Sequence, residues 1–292
     1  MNRASIIFTV LAVGLFVIGG LVFAATYPPE VAFTGRASSA VAYQSANALV
    51  LNYWAVAPGG DHVNLALKMF SPGPPALWLL LIMIWAGLAL HALRMAHDRW
   101  WYERYAKGRQ AKPLARGFAG PPTPPQIAAQ HHNDHTPTEL APLAGALIAG
   151  AIWPWIGPDR PWIGVGLAVV MLISALGAVV RGQRIGSEVR QSRAVGLFAG
   201  WVTVLAYAAI AWFVSSQMAV SAEMAGLMAM LLCAGTGATV QVMIGDSSFY
   251  SVGVIWALIG IAVATMTGAP TVAIGAVLGV ASQTAVLVRA IT

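Results

Sequence analysis

Charge is what this sequence lacks most. Only 9% of its 292 residues are Asp, Glu, Lys or Arg, against about 25% in ordinary soluble domains, while 58% are hydrophobic. So few charges cannot cover a soluble globule, so the composition excludes that class and indicates a polytopic membrane protein. Cysteine is nearly absent: Cys233 stands alone inside an apolar run, which excludes a disulfide framework and a thiolate metal site. Carboxylates at bilayer depth are missing too. Glu223 falls at the start of one apolar run and Asp246 in a GDSS turn, so neither is placed as a proton relay, and an ion-coupled pump is disfavoured. The serines lack a nucleophile-elbow context and the histidines gather in or near one polar stretch, which disfavours a Ser/His/Asp hydrolase. No catalytic constellation is present, and the chain reads as a non-enzyme.

What is there is a succession of apolar runs. Residues 6–25 form the first, about 20 residues long, enough to cross a hydrocarbon core of roughly 30 Å. It reads as a retained helix, with a cleavable signal peptide ending near VFAAT as the rival. A second span starts at about Pro75, and further ones cover 140–157, 162–180, 194–216, 222–243, 250–266 and 271–288. The expected fold is therefore an all-α bundle of about eight transmembrane helices. Residues 27–75 make a long outer connection rich in Pro and Gly, too long for an ordinary loop. Residues 98–138 make a basic, Pro-rich loop broken by GPPTPP.

The net charge of +6 belongs to topology and not to nucleic acid, because the basic residues flank apolar spans without aromatic interleaving in a soluble segment. With the amino terminus inside, thirteen Lys and Arg residues fall on the inner side. They are Arg3, the seven from Arg94 to Arg116, then Arg181, Arg184, Arg190, Arg193 and Arg289. Three fall outside: Arg36, Lys68 and Arg160. That asymmetry predicts both termini in the cytoplasm and an even number of spans.

Two groups of residues invite a chemical reading. His131, His132 and His135, with Asp134 between them, are the right types for zinc, nickel or copper. The same stretch, DHTPTE, is a serviceable helix start, with a threonine to cap, a proline for the first turn and Glu139 at the positive helix end. That is the preferred reading, and no metal site is expected. His91 is of a type that ligates haem or a chlorophyll magnesium, but it lies close enough to the inner boundary to snorkel beside Arg94. The second group is the eleven tryptophans. Several sit where membrane tryptophans usually do, at the interface. Trp85, Trp201 and Trp256 lie deeper, and flat indole walls inside a bundle suit either core packing or a large planar apolar ligand. The spacing of Gly275 and Gly279 in GAVLG also permits close helix contact.

The segment GLFAGWVTVLAYAAIAW resembles the fifth helix of the TspO/translocator-protein family, the tryptophan-rich sensory proteins. FSPGPPALWLLLIMIW is similar to that family's second helix, GAIWPW to the end of its third, and GDSSFYSVGVIWALIGI to a segment of its longer variants. Where the family carries an asparagine in the fifth helix, this chain has Ala209. The resemblance implies a TspO-like five-helix bundle over residues 1–216, with three additional helices over 217–292. It implies a pocket for a tetrapyrrole- or sterol-like molecule, lined by Trp78, Trp85, Trp153, Trp201 and Tyr207, with Thr203 as a polar contact. The implied role is that of a sensor, carrier or regulator in a bacterial inner membrane, porphyrin being the type of ligand. The alternative is a non-catalytic accessory subunit of a larger respiratory or photosynthetic membrane complex.

Overall fold

A computed structural model describes residues 3–26, 65–70, 74–110, 137–184, 192–218, 220–245 and 248–291. Within them the chain forms nine helices and no strand: α1 (Arg3–Thr26), α2 (Leu65–Phe70), α3 (Pro75–Gln110), α4 (Pro137–Ile156), α5 (Pro161–Arg184), α6 (Arg193–Gln217), α7 (Ala222–Ile244), α8 (Ser248–Thr265) and α9 (Pro270–Ile291). Proline occupies the first position of α3, α4, α5 and α9, where its missing N–H is one no helix could bond and its fixed φ already suits the helix. α7 starts differently. The Ser221 hydroxyl accepts from Met224 N at 3.3 Å, and the helix ends on Gly245 at φ +64 with its N–H returned to the Gln241 carbonyl.

Seven of these helices are long and apolar enough to cross a membrane. The eighth expected span, α4, has a shorter apolar stretch, Leu140–Ile156, and packs between α1 and α5. The fold is thus the polytopic helical membrane bundle that the composition requires. α3 has 36 residues, about 54 Å of helix, and its membrane-spanning part ends at His97.

The contacts arrange the long helices as two rings. α3 packs on α1, α1 on α4, α4 on α5, α5 on α6, and α6 returns to α3. A second ring runs from α6 to α7, α7 to α9, α9 to α8 and α8 back to α6. α6 is therefore the wall common to both, and 78% of its spanning core is buried against 33–56% in the other spans. Every residue from 194 to 206 is buried, so α6 has no lipid-facing stripe over these turns, as a helix surrounded on all sides must. Small residues make this possible. A methyl on Gly200 would collide with the Tyr250 carbonyl oxygen and come 2.8 Å from Val254 N, and one on Gly253 would come 2.6 Å from the Leu197 carbonyl oxygen. α6 and α8 thus meet backbone to backbone.

The GAVLG spacing is used in the same manner, within the chain. Gly275 faces Leu227 and Met230 of α7, and Gly279 faces Leu258 of α8 and Ala234 of α7. The close helix contact that this spacing permits is thus made inside the second ring.

Candidate binding site

The first ring closes on an aromatic cluster supplied by four helices. Phe16 of α1 meets Phe198 and Trp201 of α6 edge-on, with centroids 5.4 and 6.2 Å apart. Phe70 of α2 stacks on Trp153 of α4 at 5.3 Å and 16° and stands edge-on to Trp201 at 5.0 Å and 83°. Offset-stacked and T-shaped pairs are what the ring quadrupole favours, so the cluster gains beyond the area it buries. Gly150 makes the space, since a methyl there would lie 3.0 Å from the Phe16 ring and 2.9 Å from Met171 Sδ. The Trp153 indole N–H donates to the Gly164 carbonyl of α5 at 2.8 Å, which fixes the ring plane against which Phe70 lies.

The expected site residues divide between the two rings. Trp153 and Trp201 share the cluster through Phe70. Trp85 is buried and lies over Gly20 of α1, where a methyl would come 2.7 Å from its Cζ2. Gly20 is four residues from Phe16 and so on the same face of α1, which sets Trp85 one turn from the cluster. Its indole N–H is buried without a hydrogen-bond partner. Trp78 is half-buried and packs on the edge of the core. Thr203 and Tyr207 point the other way, into the second ring. Thr203 Oγ1 donates to the Ala199 carbonyl at 2.9 Å, which uses its proton, so the Tyr250 hydroxyl 3.1 Å away donates to it. Tyr207 pairs its hydroxyl with that of Thr236 on α7.

The second ring has a different interior. Of the polar side chains buried among the described residues, Thr203, Gln241, Ser251, Thr265 and Gln283 lie on α6 to α9. Ser251 donates to Gln241 Oε1 at 2.7 Å, and Gln283 reaches the Ala234 carbonyl at 2.7 Å. Trp256 belongs to neither interior: its N–H bonds the Ala76 carbonyl at 3.0 Å and ties α8 to the first turn of α3.

Two hollows stand out, and the aromatic cluster lines neither. One of about 150 Å³ lies between α6 and α7, lined by apolar side chains from Tyr207 to Leu232. The other, about 320 Å³ and open, lies beside Trp155, Asp159 and Arg160. Burial there raises the Asp159 carboxyl above its usual pKa, with Arg160 pulling the opposite way. His91 is half-buried on α3. His131, His132 and His135 lie outside the described residues, and no group of three or more His, Cys, Asp or Glu able to hold a metal occurs among those described.

Phe16, Phe198 and above all Phe70 are absent from the set read from the sequence. Phe70 sits in the long outer connection of residues 27–75, outside every expected span. Its signal was the run LALKMF, five uncharged residues of six, set among prolines and glycines. Compared with known protein families, with curated proteins and with solved structures, the chain matches none.

Proposed function

We propose that this chain is a non-enzymatic, TspO-like membrane protein that seats a planar hydrophobic molecule, tetrapyrrole- or sterol-like, and acts as a sensor, carrier or regulator. It lies in a bacterial inner membrane with both termini in the cytoplasm. One observation carries the reading: the first five long helices close around Phe16, Trp153, Phe198 and Trp201, whose walls stack on one face of a flat ring, here that of Phe70, and meet its edge from another side. The thirteen-to-three charge asymmetry supports the orientation.

Protoporphyrin IX added to the purified protein in detergent quenches tryptophan emission on this reading, in the wild type or in Phe70→Ala, and Trp201→Phe weakens binding followed by porphyrin absorbance. Unchanged emission and absorbance in both proteins across a porphyrin series overturns it. The second reading, an accessory subunit of a respiratory or photosynthetic complex, draws on the fact that the cluster is already filled by the chain's own Phe70. Purification in mild detergent separates the two, because an obligate subunit comigrates with its partners.

A further inference from the structure

α2 has six residues, about 9 Å of helix, and cannot cross a membrane, yet Leu65, Ala66, Lys68, Met69 and Phe70 are all buried. It runs between the two rings. At one end Leu65 comes within 3.7 Å of the position a methyl on Gly226 of α7 would take. In the middle, Lys68 donates to the Ala264 carbonyl at 3.4 Å. That carbonyl is in the last turn of α8, where carbonyls lack helical partners and a cation is favoured. At the other end Phe70 lies parallel to Trp153 and edge-on to Trp201. These are the two orientations a flat aromatic guest would adopt against the same walls.

We propose that α2 is a built-in competitor for the aromatic seat, with the Phe70 ring standing where a planar ligand would stack. The inference rests on the reading that this cluster is the ligand seat. Binding then requires Phe70 to leave, and the apparent affinity equals the intrinsic affinity scaled by the fraction of molecules whose seat is free. Any change that loosens α2 without touching the walls tightens binding, and it does so without a new contact to the ligand.

The experiment titrates the full-length protein in detergent with protoporphyrin IX, followed by porphyrin absorbance, and compares three proteins. Phe70→Ala empties the seat and binds at least tenfold more tightly than wild type. Leu65→Ala weakens the far end of α2, at α7, and binds several-fold more tightly. Equal affinity in wild type and both variants overturns the competition while leaving the ligand reading intact, and absence of binding in all three overturns both. Should Phe70→Ala fail to fold, Leu65→Ala decides alone, because unchanged affinity there is the refuting result.

Discussion

The backbone contact between α6 and α8 gives the sharpest test of the fold, through Gly200→Ala. On an isolated helix this change is favourable by up to about 1 kcal/mol, since glycine is the poorer helix former. Here the added methyl would strike the Tyr250 carbonyl oxygen and stand 2.8 Å from Val254 N and 3.0 Å from the Gly253 carbonyl carbon. All three atoms are backbone of another helix, so no side chain can rotate away. α6 and α8 must part by roughly 0.5–1 Å, an overpacking strain of about 1–3 kcal/mol. The separation also lengthens the Thr203–Tyr250 hydrogen bond of 3.1 Å one turn away, at a further cost of about 0.6 kcal/mol for an average interhelical bond in a membrane protein. The strain outweighs the propensity gain, and the net destabilisation is about 1–3 kcal/mol. Unfolding in mixed micelles of increasing SDS fraction measures it. The control is Gly235→Ala on α7, where a methyl meets nothing within 4 Å, so that only the propensity gain remains. Should Gly200→Ala prove as well tolerated as Gly235→Ala, the α6–α8 contact and the shared wall built on it are wrong.

Three further outcomes follow from particular contacts. Burial lowers the Lys68 pKa from 10.5 to about 8, so between these values the unfolded chain holds more protons and stability rises with pH. Lys68→Met therefore raises the thermal midpoint over wild type most below pH 8, and the advantage shrinks towards pH 10; an advantage independent of pH contradicts the assignment. Gly237→Ala places a methyl 2.5 Å from Gln283 Nε2 and 3.0 Å from its Cδ, which breaks the amide's bond to the Ala234 carbonyl and costs about 1–3 kcal/mol. Gln283→Leu in the same background tests this: the second change should no longer remove a hydrogen bond, so additive costs are the refuting result. Finally, a double-mutant cycle of Thr203→Val with Tyr250→Phe in SDS unfolding gives a coupling of about 0.6 kcal/mol, and zero coupling refutes the bond.

The sequence disclosed the spans far better than it disclosed their faces. The apolar runs 194–216 and 222–243 predict helices, and the structure has Arg193–Gln217 and Ala222–Ile244, because a membrane helix is fixed by length and apolarity alone. Within a helix that logic stops. On α3, Leu80, Leu81, Ile84 and Leu88 are buried while Leu79, Ile82, Met83 and Leu90 are exposed. Lipid and protein core are equally apolar, so hydrophobicity does not mark which side faces which. Trp201 is legible because tryptophan away from the interface is unusual, whereas Trp153 enters only through the resemblance of GAIWPW to the end of a TspO third helix. Phe70 is not legible, since its place depends on α2 folding against helices more than 80 residues away in sequence, with Trp153 its first wall. The spacing of Gly275 and Gly279 permits a close contact, but nothing local says that α7 and α8 are the helices that make it.

The same limit explains why one expected pocket became two environments, and it yields a last test. Trp201 and Thr203 are two residues apart on α6, about 200° around the helix axis. They cannot line one cavity unless a neighbour wraps the helix, and here the faces go to different rings: Trp201 to Phe16 and Phe70, Thr203 to Tyr250. Tyr207, four residues beyond Thr203, shares the polar face and bonds Thr236. A planar ligand held by the aromatic cluster therefore touches neither hydroxyl. In the Phe70→Ala background, Thr203→Val should leave protoporphyrin affinity within about twofold while lowering stability by about 1 kcal/mol through the lost bond. Trp201→Phe should weaken binding about tenfold, in line with an aromatic contact of about 0.5–1.5 kcal/mol plus lost area. If Thr203→Val weakens binding as much as Trp201→Phe does, the ligand sits on the polar side of α6, and the seat must be rebuilt around Thr203, Tyr207 and Tyr250.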